Sequence, residues 1–173
     1  MAELLRDREA VAHGLSVMAV DMLFHELPRM LEEIVGRRQA AVLLERLASR
    51  AAEKGFREFA AKAGATGPLE PLHLLTIFLR PPSGEKLHPF QVASRLETGG
   101  AGARLVLAEQ LGPLEAALLA GVVAGVLTAA GHPARAVGSR DAAGRACGSV
   151  EGLEFVVYAD DASAVVVEPC GRS

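Results

Sequence analysis

A single apolar stretch sets the main limit on how this chain can fold. In residues 112–131, Glu115 is the one charge, and residues 116–130 are all apolar or small. Pro113 suits a first helical position, and Gly131 suits the residue after a helix end. Since a helix that is apolar all round must be buried, we predict a central core helix. At about 100° per residue its small side chains share one face that admits another backbone closely, namely Ala117, Gly121, Ala124, Gly125 and Thr128.

A membrane-spanning role for this stretch fails on length, because a spanning helix needs about 20 apolar residues. Gly121-x-x-x-Gly125 also occurs on transmembrane dimer faces, but alone it is a weak motif. The N-terminus is charged and lacks the apolar core of a secretory signal. Two cysteines, Cys147 and Cys170, cannot form a disulfide framework and suit a reducing compartment. We therefore predict a cytoplasmic protein with no transmembrane segment.

Length and charge narrow the class of protein further. The 173 residues suit one domain, residues 1–173. The formal net charge of −3 argues against nucleic acid as a partner, because phosphate binding needs clustered Lys and Arg. Aromatic residues are only 4% of the chain, so the core must consist mainly of Leu, Val and Ala.

The first part of the chain, residues 1–80, is predicted to be helical. Pro28 either kinks the early segment or opens a second helix, and Gly36 closes it. A further helix is predicted up to about Ala63, with an apolar side made of Ala40, Leu43, Leu44, Leu47, Ala51 and Phe59. After a break at residues 63–68, residues 71–79 form either a short helix or a strand. We favour a helix because Pro71 can start one.

The second part, residues 88–169, changes to the alternating period of strands around the central helix. Residues 90–97 and 103–111 are predicted to pair through a glycine-rich hairpin, with Leu105 and Leu107 facing inward. Residues 134–140, 153–159 and 164–168 are further strand candidates. The order predicts an α+β fold, in which N-terminal helices and one buried glycine-rich helix pack on an antiparallel four- to five-stranded sheet.

Three stretches resemble the 4-vinyl-reductase domain family: residues 17–63, 118–125 and 147–155. The second resembles the family's glycine-spaced helix and the third its closing hairpin, although Leu153 stands where that hairpin has a second cysteine. The family shares its fold with the core subunits of the TRAPP vesicle-tethering complex and includes small-molecule-binding domains. The resemblance implies a non-enzymatic dimer that binds a hydrophobic small molecule. It also implies two alternatives: an assembly subunit without a ligand, or an accessory protein of tetrapyrrole (bacteriochlorophyll) metabolism.

Catalytic and metal-binding patterns are weak. The five histidines show no metal spacing with one another, and no serine lies in a Gly-x-Ser-x-Gly context. We therefore expect no catalytic or metal site and no cofactor other than a bound lipid or similar apolar molecule. Arg135, Arg140 and Arg145 are candidates to gather around an anionic ligand or partner, although solvated strand edges also favour such charges.

Two candidate surfaces complete the sequence-based predictions. If a ligand cavity exists, we expect its walls to come from Phe78, Phe90, Leu118, Val122, Val126 and Phe155. The alternative is that these six side chains simply fill the core. The apolar stripe of Leu15, Met18 and Met22 is predicted to form a dimer interface, because the same segment carries a second stripe for its own core.

Overall fold

The computed structural model describes residue 18 and residues 22–63, 67–80, 94–99, 102–161 and 163–171. After a π-helical turn at Met22–Glu26, the helices in chain order are α1 (Leu27–Val35), α2 (Arg37–Ala63), α3 (Leu69–Leu79), α4 (Pro113–Ala129) and α5 (Arg140–Ser149). The strands are β1 (Ser94–Gly99), β2 (Gly102–Leu107), β3 (Ala134–Ala136), β4 (Phe155–Asp160) and β5 (Ala164–Pro169). The predicted α+β class is confirmed.

Helix α4 is the predicted central helix. Pro113 begins it, and twelve of its 17 residues are buried. The Glu115 carboxylate accepts a hydrogen bond of 2.7 Å from the Gly112 backbone N–H, which stabilises the helix start. Gly131 follows the helix end with φ of 93°, a conformation that glycine adopts without strain.

Glycines on the small face of α4 bring helix α2 against it. A Cβ added at Gly121 would collide with the Glu45 carbonyl oxygen and lie 2.9 Å from the Ala48 Cβ. A Cβ added at Gly125 would collide with the Ser49 carbonyl oxygen. Both contacts are too close for any side chain larger than hydrogen, so the predicted close approach of a second backbone is confirmed.

This approach decides which side of α2 is buried. Ala40, Leu44 and Ala48 are buried, whereas Leu43 and Leu47 are 43% and 49% exposed. The predicted apolar side of α2 was therefore wrong for Leu43 and Leu47, and also for Ala51 and Phe59, which are exposed. The reason is that backbone-to-backbone contact with α4 selects the side of α2 that carries alanines at the crossing.

The five strands form one sheet in the order β1-β2-β5-β4-β3. The first four are antiparallel neighbours, but β3 runs parallel to β4, so the sheet is mixed. A parallel pair needs a crossover connection, and helix α5 supplies it. Helix α4 covers one face of the sheet, with α2 outside it, and α5 covers β4 on the other face.

Two predictions about residues 134–150 were wrong. The strand predicted for residues 134–140 ends at Ala136, and residues 140–149 are helical. Cys147 lies on this helix and forms a disulfide with Cys170, across a Cα–Cα distance of 5.2 Å. The expectation that the two cysteines stay reduced was wrong. Helix α5 packs on the sheet, and this packing brings Cys147 next to Cys170, which directly follows β5. The support that the cysteines gave to a cytoplasmic location is lost with that expectation.

Within the described part of the chain, no helix is both long enough and apolar enough to cross a membrane.

Candidate functional site

Four of the six predicted cavity residues lie together in the main core. Leu118 and Val126 are 6% and 2% exposed, and Val122 and Phe155 pack half-buried against the same cluster. Phe78 lies in α3 with its side chain outside the described part, and Phe90 lies outside the described residues. Because a core contact and a cavity wall use the same side chains, the cavity stays a prediction.

The predicted dimer stripe is described at two of its three positions. Met18 and Met22 are 54% and 53% exposed. Leu15 lies outside the described residues. The dimer therefore stays a prediction.

His132 follows the central helix and contacts residues at the start of β4. Its Nδ1 lies 3.1 Å from Glu154 Oε2. Its ring and the Phe155 ring are in an edge-to-face arrangement with their centres 6.1 Å apart. The described residues contain no group of three or more side chains arranged to hold a metal ion.

A cleft of about 390 Å³ lies at the edge of the sheet beside β3. One wall is the side of α2 that carries Glu45, and the opposite wall is the side of α5 that carries Arg145. Strand β3 and the turn after it form an apolar floor between these walls, lined by Ala134, Ala136, Val137 and Gly138. The volume falls at the lower end of the range for small-molecule pockets.

Four arginines surround this cleft: Arg46 and Arg50 on α2, Arg135 on β3 and Arg145 on α5. None of them forms an ion pair with another described residue, whereas six arginines outside the cleft pair with a glutamate or an aspartate. The described residues outside the cleft include two further unpaired arginines, Arg38 and Arg80, so the cleft is distinguished by bringing four together. The cleft is therefore positive in a chain whose net charge is −3. Unpaired guanidinium groups around a concave surface can bind carboxylate or phosphate oxygens, often with two hydrogen bonds each.

Glu45 is the one acidic residue that lines the cleft. It is also the one buried charged residue in the described part of the chain, with 6% of its surface exposed. Burial raises the pKa of its carboxyl group to about 7, while the charge of Arg46 opposes the shift. Near neutral pH the group is therefore partly protonated and can donate a hydrogen bond. In that form it leaves the positive charge of the four arginines uncancelled.

The disulfide holds one wall of the cleft in place. Cys147 lies on α5 between lining residues Ala146 and Ser149, and its bond to Cys170 ties the helix to the chain after β5. On the sheet side, Ala143 and Ala146 of α5 pack against Val156 and Tyr158. The wall that carries Arg145 is thus fixed both covalently and by packing, which favours a preformed site.

The sequence identified part of this site. Of the three arginines proposed to surround an anion, Arg135 and Arg145 line the cleft, whereas Arg140 lies 3.8 Å from Glu168. Arg46 and Arg50 were missed, and so was Glu45. Glu45 was missed because its burial depends on the contact between α2 and α4, where Gly121 packs against its backbone carbonyl.

No family model, curated protein or solved structure matches this chain. The resemblance to the 4-vinyl-reductase domain family therefore stays a prediction. Residues 147–155, which resemble the family's closing hairpin in sequence, contain the end of α5 and the start of β4 instead.

Proposed function

We propose that this protein is a non-enzymatic binding domain whose ligand is an organic anion held in the cleft between α2, β3 and α5. The observation that supports it is the set of four arginines that line one cleft without an ion-pair partner among the described residues. The apolar floor adds a surface for the carbon skeleton of the ligand.

This proposal narrows the ligand that the family resemblance implies. A purely apolar molecule would leave four guanidinium groups unused, while an acid with a carbon skeleton uses both the arginines and the alanine-rich floor. A lipid with an anionic headgroup belongs to the same chemistry. The tetrapyrrole alternative is compatible too, because such pigments carry carboxylate side chains.

The test measures binding of tricarballylate and inorganic phosphate by isothermal titration calorimetry at low salt. Replacing both Arg135 and Arg145 with Gln should weaken tricarballylate binding by about a hundredfold or more, since each of the two charge-assisted hydrogen bonds lost contributes about 1.5–3 kcal/mol. The matched control replaces Arg38 and Arg80, which are exposed, unpaired among the described residues and outside the cleft. The proposal fails if neither anion binds, or if the control variant weakens binding equally.

A second candidate function, assembly with another protein chain, is favoured by apolar side chains exposed on α1 and α2. Met30 and Ile34 on α1 are 52% and 72% exposed, and Leu43 and Leu47 on α2 are nearly half exposed. Met18 and Met22 are more than half exposed as well. We propose a second copy of the chain as the partner, in line with the predicted homodimer.

A further inference from the structure

Strand β3 is an edge strand with unused backbone groups. In its parallel pairing with β4, the Phe155 N–H bonds the Pro133 carbonyl and the Val137 N–H bonds the Val157 carbonyl. Backbone groups alternate sides along a strand, so the N–H and carbonyl of residues 134 and 136 point away from β4. Both groups of Ala134 are occupied by the Thr128 hydroxyl, at 3.1 and 3.3 Å.

Ala136 is different. Its N–H and carbonyl point outward from the sheet edge and have no hydrogen-bond partner among the described residues. Ala136 also lies on the floor of the arginine-lined cleft. The cleft therefore offers one backbone donor and one backbone acceptor, spaced as an antiparallel neighbouring strand would use them.

The arginines are distributed on both sides of this edge. Ala136 points its side chain towards the core under α4 and α2, so the α2 arginines lie on that side of the sheet. Arg135 alternates with it and points to the other side, where α5 carries Arg145. A strand docked against Ala136 would place alternate side chains on these two sides, and each side would meet a pair of arginines.

We propose that the cleft binds an extended acidic segment of a partner protein, which adds to the sheet as a short strand beside β3. This inference rests on the proposed anion-binding function and names its ligand class. The residue opposite Ala136 exchanges two backbone hydrogen bonds with it and directs an acidic side chain towards Arg46 and Arg50. The residues on either side of it direct acidic side chains towards Arg135 and Arg145. Strand addition of this kind takes affinity from backbone bonds and specificity from alternate side chains.

The experiment uses the full chain and a capped peptide with the sequence Val-Glu-Glu-Glu-Val, titrated by isothermal calorimetry. The first comparison is the same peptide with its central amide N-methylated, which removes one backbone donor and keeps every charge. The second is tricarballylate, which has three carboxylates and no backbone. We expect the unmethylated peptide to bind about tenfold more tightly than the N-methylated peptide and about tenfold more tightly than tricarballylate.

A protein variant tests the same contact from the other side. Ala136→Pro removes the outward N–H, a change that edge strands tolerate because this N–H takes no part in the pairing with β4. We expect it to weaken binding of the unmethylated peptide about tenfold more than it weakens tricarballylate binding, because only the peptide uses this N–H. Circular dichroism establishes that the variant is folded, and the N-methylated peptide tests the contact if it is not.

The outcomes separate this inference from the proposed function. If N-methylation leaves peptide affinity unchanged while tricarballylate still binds, strand addition is wrong and anion binding stands. If a peptide with Gln at all three central positions binds equally well, the acidic ligand class is wrong. If neither the peptide nor tricarballylate binds, the proposed function fails and this inference fails with it.

Discussion

The close contact between α2 and α4 predicts that a methyl group added at Gly121 destabilises the protein. The size of this steric effect can be separated from the gain in helix propensity. The perturbation is Gly121→Ala. The new Cβ would lie 2.9 Å from the Ala48 Cβ and closer still to the Glu45 carbonyl oxygen. Carbon atoms in contact prefer separations of about 3.5–4.0 Å, so α2 must move away by at least about 0.6 Å. Overpacking of this kind costs about 1–3 kcal/mol.

A second glycine-to-alanine variant serves as the control for the gain in helix propensity. Gly55 also lies inside a helix, α2, but a Cβ added there meets nothing within 4 Å. Both substitutions gain up to about 1 kcal/mol of helix propensity. Gly55→Ala should therefore stabilise the protein by about that amount, while the difference between the two variants equals the overpacking cost of about 1–3 kcal/mol. Gly121→Leu should cost more, because its side chain has no space in the crossing.

The assay is urea unfolding followed by far-ultraviolet circular dichroism, which suits a chain without tryptophan. Equal changes in the free energy of unfolding for Gly121→Ala and Gly55→Ala would refute the reasoning, because they would show that the small face of α4 tolerates a methyl group. The same result would remove the physical explanation for the buried side of α2.

Three further predictions concern Glu45, the disulfide and the N-terminal stripe. Because the pKa of Glu45 rises from 4.5 to about 7 on folding, the folded protein keeps a proton that the unfolded chain loses in this range. Stability should therefore fall by about 2–3 kcal/mol between about pH 5 and pH 8, and Glu45→Gln should lack this fall in urea titrations; parallel curves would contradict it. Cys170→Ala should cost about 3 kcal/mol, since the bond spans a sequence separation of 23; dithiothreitol should destabilise the parent but not the variant. Replacing Leu15 and Met18 with Asp should convert a dimer to a folded monomer in sedimentation experiments, and a parent that is monomeric at tens of micromolar would make the dimer prediction wrong.

The sequence predicted those parts of the fold whose pattern is local. The central helix, its start at Pro113, the glycine that follows its end and its small face are all predicted from one stretch of chain. The inward positions of Leu105 and Leu107 follow from strand alternation, and both are buried. In each of these cases a single element specifies its own buried side.

The parts that the sequence did not predict depend on contacts between elements. The buried side of α2 is decided by α4, since α2 has leucines on more than one side. Helix α5 was missed although Ser139 begins it and its side chain accepts a hydrogen bond from the Ala142 N–H at 3.4 Å. Its two glycines weaken helix propensity, so packing on β4 and the bond to Cys170 hold it.

The same glycine contacts that build the core also form the candidate site. Gly121 and Gly125 press the backbone of α2 at Glu45 and Ser49 against α4, and both of these residues line the cleft. The close approach buries the Glu45 carboxyl group beside the sheet edge, which raises its pKa and leaves the neighbouring arginines unpaired. A shift of α2 would widen the gap between its arginines and those on β3 and α5. Gly121→Ala on α4 should consequently weaken tricarballylate binding as well as stability. Gly55→Ala, which lies on α2 but outside the cleft, should leave the affinity unchanged.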